Sequence, residues 1–155
     1  MKKFLLIFLI IFLFSASTSY ALELPDNINE WHAVKSKIVP LIASNQNLGE
    51  IIYKSYTRQK PLGNLEIILT QGKGAGELYI PEHVNNNNKD SLFKASGYEI
   101  TNISGMSAII EKVENLPLAL AVKVNNNITL TIETHSLNES ELIKFAGDLL
   151  SNVIK

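Results

Sequence analysis

The chain has 155 residues, 14 Lys and Arg against 15 Asp and Glu, and no cysteine. That near-neutral balance gives no basic surface for nucleic acid or for an anionic membrane. The missing cysteines exclude disulfide staples, thiolate metal sites, cysteine nucleophiles and lipid attachment at a lipobox, so the fold must rest on its apolar core alone.

Residues 1–21 read MKKFLLIFLIIFLFSASTSYA: two lysines, an apolar run from Phe4 to Phe14, then small residues with Ser19 and Ala21 at the minus-three and minus-one positions. This is the pattern of a secretory signal peptide cut after Ala21. The apolar run falls short of the roughly 20 residues that span a bilayer, so no stable membrane insertion is expected after cleavage. The abundance of asparagine, lysine and isoleucine suggests a low-GC bacterial genome, and the expected destination is the periplasm or the exterior. Removing Lys2 and Lys3 with the leader makes the remainder, Leu22 to Lys155, more acidic still. That remainder is of a size for one domain and short for two.

Leu22 to Trp31 is a polar lead-in with a turn at Pro25 and Asp26, and Trp31, the only tryptophan, is expected to anchor the core at the domain edge. From His32 to Asn47 the residues Val34, Ile38, Leu41 and Ile42 fit a helical stripe that Pro40 would break, leaving a short helix or a strand before a turn at Asn45 to Gly49. Ile51 to Arg58 alternates, with Ile51, Tyr53 and Ser55 on one side and Ile52, Lys54 and Tyr56 on the other. A turn at Lys60, Pro61 and Gly63 joins it to Leu65–Thr70 as a hairpin, with Tyr53 and Tyr56 packing at the sheet margin.

Gln71 to Glu77, QGKGAGE, is glycine-rich but matches neither GxGxxG nor GxxxxGK[ST], so a flexible loop is expected. Tyr79 to Asp90, with four consecutive asparagines from Asn85 to Asn88, reads as a solvated low-complexity loop. After a turn of helix within Ser91–Gly97, strands are expected at Tyr98–Ile103 and Ser107–Val113 around Gly105, then at Leu118–Val124 and Ile128–Glu133 around Asn125, Asn126 and Asn127. Asparagine tolerates the left-handed backbone that short hairpin loops use.

The period then changes from two to helical spacing. Leu142, Phe145, Ala146, Leu149, Leu150 and Val153 make the apolar stripe, Asn138 with Glu141 makes a capping box, and Leu137 with Leu142 makes a hydrophobic staple. Gly147 is explained by close approach of the helix backbone to the sheet. The sum is one α+β domain: a mostly antiparallel sheet of five or six strands with the C-terminal amphipathic helix on one face.

No catalytic constellation stands out. His32, His83 and His135 lack ligand spacing, and no GxSxG surrounds a serine. The acid pairs Glu111 with Glu114 and Glu139 with Glu141 have structural uses at a strand end and a helix N-terminus. Asn102, Asn127 and Asn138 begin N-x-S/T triplets, a coincidence of composition. Catalytic, cofactor-binding and metal-ligating residues are therefore all expected to be none.

The element order over Ile51–Ile154, ending in TLTIETHSLNESELIKFAGDLL, resembles the small α/β/α sandwiches of the PsbP and Mog1-like group. That resemblance implies an accessory or binding role, carried by fold analogy alone. The expectation is an exported, non-catalytic module for an envelope protein partner, engaged through the sheet edge or the Asn85–Asn88 region. The alternatives are a small-ligand carrier with a pocket between helix and sheet lined by Phe145 and Tyr98, or a hydrolase-type enzyme with a scattered His/Glu site.

Overall fold

The structure, a computed structural model, describes residues 22–76, 78 and 97–154. The leader, His83, the Asn85–Asn88 run and the expected turn of helix before Gly97 lie outside these residues. The elements are β1 (Asn27–Ile28), β2 (Trp31–Ala43), β3 (Gln46–Gln59), β4 (Leu62–Gln71), β5 (Tyr98–Ile103), β6 (Met106–Glu111), β7 (Leu118–Asn125), β8 (Ile128–Thr134) and the helix α1 (Glu139–Val153).

All eight strands form one antiparallel sheet in the order β1-β2-β3-β4-β8-β7-β6-β5. Two four-strand meanders thus meet at the β4–β8 seam. After β4 the chain leaves the centre, re-enters at the opposite edge as β5 and walks back to the middle. The sheet is larger than the five or six strands expected, because β1 and β2 extend the first meander.

The alternating faces are those read from the sequence. Leu65, Ile67 and Leu69 of β4 and Leu130 and Ile132 of β8 are fully buried on the inner face, beneath α1. From the helix, Leu142, Phe145, Ala146, Leu149 and Leu150 are buried against them. Asn138 accepts from the Glu141 backbone and Glu141 from the Asn138 backbone, so the capping box is present.

Trp31 is buried in the core as expected, and Tyr56 is the aromatic side chain that departs from expectation. Tyr56 lies in the core rather than at the margin, with its ring 6.3 Å from Phe145, while Trp31 packs edge-on to Phe145 at 5.5 Å. Tyr53, on the opposite face of the same strand, is exposed. Burial at Tyr56 is made tolerable by a partner for its hydroxyl, the Pro25 carbonyl.

The uncertain stretch His32–Asn47 is strand, and its turn is Ser44–Asn45, both in the left-handed region. Pro40 fits because β2 lies near the sheet edge, where a missing donor is tolerated. The Asn126–Asn127 turn uses different chemistry from that expected. Its asparagines are not left-handed; the Asn125 side chain instead accepts from the Asn127 backbone at 2.8 Å.

Two glycines near the start of β3 and the end of β4 hold the backbones in contact. Gly49 has φ +136°, and a Cβ there would lie 1.9 Å from the Gln71 carbonyl oxygen; Gly72 is likewise pressed on Gly49 and Leu48. The Gly74 backbone donates to the Leu48 carbonyl at 2.9 Å, so the glycine-rich segment begins as a docked turn rather than a free loop. Gly147 is the reverse case. A Cβ there meets only the Ser104 hydroxyl at 4.0 Å, so close approach to the sheet does not explain it.

Urea unfolding should therefore separate these glycines by sign. Gly49→Ala is expected to destabilise by about 3 kcal/mol or more, and Gly147→Ala to stabilise by roughly 0.5–1 kcal/mol. Phe145→Ala should cost about 3–5 kcal/mol; a loss below 1 kcal/mol would contradict its place at the centre of the aromatic cluster.

Candidate functional site

The residues that the sequence offered for chemistry are mostly engaged in holding the fold. The His32 ring contacts the Asn27 side chain at 2.7 Å at the sheet edge. Glu111 accepts from the Tyr98 hydroxyl at 3.0 Å, and Glu141 completes the cap. Glu139 and Glu99 both bind the Lys112 ammonium, at 2.7 and 2.8 Å, tying the first helical turn to β5. The hydrogen bond that Lys112 donates to Glu139, then the one it donates to Glu99, raises the Lys112 pKa. Of the triplet asparagines, Asn102 accepts from the Gly105 backbone, the Asn127 carbonyl accepts from Gly72, and Asn138 caps α1.

His135, Glu133 and Glu66 do share a hollow of about 240 Å³ with Asn64, Thr134 and Pro117. Glu66 and Glu133 face one another in register across the β4–β8 seam. Like charges placed so are unfavourable unless solvated, and Glu66 and His135 are exposed. Among the described residues no three His, Asp or Glu side chains converge as a metal-binding group.

Phe145 and Tyr98 do not line one pocket. Phe145 contacts Trp31 and Tyr56 on the β2–β3 side, whereas Tyr98 lies on β5 at the other edge. A cleft of about 560 Å³ instead opens beside α1, lined by Asn29, Trp31, Arg58, Glu141, Lys144 and Asp148 among others. Arg58 stacks on Trp31 at 4.7 Å and reaches Glu141 at 3.5 Å, so its charge is already matched.

The polar lead-in proves to be part of the core. Residues 22–26 form a strap across the inner face beside α1, with Leu24 buried. Lys54, buried on β3, donates to the Leu24 carbonyl at 2.6 Å and to Asp26 at 2.7 Å. Its charge is thereby paired and hydrogen-bonded, as a buried ammonium requires. The same Lys54 bond holds the Asp26 carboxyl below its ordinary pKa. Tyr56 is pushed above its ordinary value by burial first and by the Asp26 charge second. At the start of the strap the Leu22 backbone donates to Gln71 at 2.8 Å, and Gln71 donates to Glu50 at 2.6 Å.

Beyond the strap, β2 is a free edge. β1 pairs only with Trp31 and His32, and from Val34 onward no strand lies outside β2 among the described residues. Val34, Ile38 and Ile42 are 62%, 60% and 66% exposed, recurring every fourth residue along this edge. Lys35 and Lys37, on the outer face beside exposed Tyr53, have no ion-pair partner among the described residues. Comparison with known proteins adds no relative: no family model, no curated protein and no solved structure matches the chain.

The strap contacts carry a pH signature. Folding favours the neutral Tyr56 phenol, so its contribution is fully present below pH about 10 and is lost as pH rises beyond. Asp26 works in the opposite direction, its contribution present above pH about 4 and lost as pH falls below. Thermal melts between pH 7 and 11 should show an alkaline decline that Tyr56→Phe flattens; an unchanged slope in that variant would assign the decline elsewhere.

Proposed function

We propose that this chain is an exported, non-catalytic binding or accessory module of the cell envelope, and that its partner adds an extended strand to the β2 edge. The leader argues for export. The observation that carries the binding role is the row of exposed Val34, Ile38 and Ile42 on an edge with open backbone groups. The resemblance to PsbP and Mog1-like modules points the same way by fold analogy.

The edge is also guarded. A bulge at Val34, Pro40 and a second bulge after Leu41 interrupt regular pairing, which restrains indiscriminate association. A partner strand therefore has Lys35 to Val39 to pair with. Lys35 and Lys37 share one face of that run, which suits acidic residues at alternate positions of the partner.

A photo-crosslinker at Ser36, used in intact cells, should capture one dominant envelope protein, and the same group at exposed Asn152 on α1 should not. Charge reversal at Lys35 and Lys37 together should lower capture by about tenfold or more. Capture that is equal from both positions, or unaffected by the reversal, would overturn the edge as the contact. Turnover of a hydrolase substrate that disappears in His135→Ala would overturn the non-catalytic reading. The cleft beside α1 favours a second reading, a small-ligand carrier. Native mass spectrometry of protein released from cells should then show a bound mass that Lys144→Glu removes; apo mass alone rejects it.

A further inference from the structure

We propose that Gln71 and Glu50 form a receptor for the free α-ammonium group of Leu22, so that removing the leader after Ala21 locks the new N-terminus onto the sheet. The inference rests on the export reading, which supplies the cleavage.

Gln71 is buried at the end of β4, in register opposite Glu50 on β3. The Glu50 carboxylate accepts the Gln71 Nε2 donor at 2.6 Å, which turns the amide so that its Oε1 faces Leu22. A carboxylate can only accept, so this orientation is fixed by its charge. Oε1 then takes the Leu22 nitrogen at 2.8 Å. In the uncut chain that nitrogen is an ordinary amide. After cleavage it is cationic, the bond becomes charge-assisted, and a carboxylate stands one amide away to complement it.

The rest of the strap keeps the terminus in place. Leu24 is buried, its carbonyl and Asp26 hold Lys54, and the Pro25 carbonyl holds Tyr56. Every residue of the strap except Glu23 has a named contact with β3 or β4. An aminopeptidase must draw a free terminus into its own site, and this one is held by the sheet until the strap opens.

The test uses protein released from the envelope. Intact mass should place its first residue at Leu22, and incubation with leucine aminopeptidase should leave that residue in place. Gln71→Ala should speed its removal by about tenfold or more, the scale of one hydrogen bond to a charged group. Glu50→Gln keeps the shape of the contact and removes only charge. It should accelerate trimming while the urea midpoint changes little, and should lower the pKa of the Leu22 amine measured by NMR. Equal trimming and an unmoved amine pKa in Glu50→Gln would overturn the receptor and leave export standing. A first residue other than Leu22 would overturn the receptor, and recovery of the chain from Met1 would overturn the export reading with it.

Discussion

Among the described residues one helix covers an eight-stranded sheet, and it is smaller than the face beneath it. Its 15 residues make a rod about 22 Å long and about 10 Å across, whereas eight strands at their usual spacing span about 34 Å. The inner face is therefore divided. The apolar stripe of α1 packs into one core with Leu65, Ile67, Leu130 and Ile132 of β4 and β8, and its Phe145 reaches Trp31 and Tyr56 on the β2–β3 side. The strap of residues 22–26 closes the adjoining strip over Lys54 and Gln71. Among the described residues nothing covers the far end of β2, where Ile38 and Ile42 are exposed. The buried Lys54 and the pinned N-terminal segment both belong to the strip that α1 leaves to the strap.

This division explains which parts of the fold were legible in the sequence. Strands with one face wholly buried declare a period of two, so Leu65–Thr70 and Ile128–Glu133 could be read directly. The capping box and the helical stripe are local as well. β2 is mostly exposed on both faces, so nothing forces alternation upon it, and Pro40 obscured what remained. The strap was hidden for a different reason. Lys54 with Asp26, Tyr56 with Pro25 and Leu22 with Gln71 are contacts between residues distant in the chain. A buried Lys54 looks like a solvated one until its partner is known. Gly49 and Gly72 likewise make sense only as a pair.

The same accounting bears on chemistry. Among the described residues no buried side-chain nitrogen or oxygen lacks a hydrogen-bond partner. Polar groups held ready for a reaction commonly sit with strained or unmet hydrogen bonding. Here Glu139, Glu141, Asn138 and Thr134 complete caps and turns, and Lys112 links α1 to β5. Among the described residues, backbone and apolar surface along β2 are left open.

The two-meander topology also sets the order in which a chain can finish folding. The first meander is built from neighbouring hairpins, yet its last strand, β4, lies at the centre of the sheet and pairs with β8, the final strand made. As the chain is made from its N-terminus, Leu65, Ile67 and Leu69 wait on an open strand until Ile128–Thr134 and the helix follow. Long-range pairing of this kind is slow and leaves sticky edges exposed meanwhile. Until that seam closes, β4 is a central strand with one side unpaired, open to pairing with whatever extended chain meets it first.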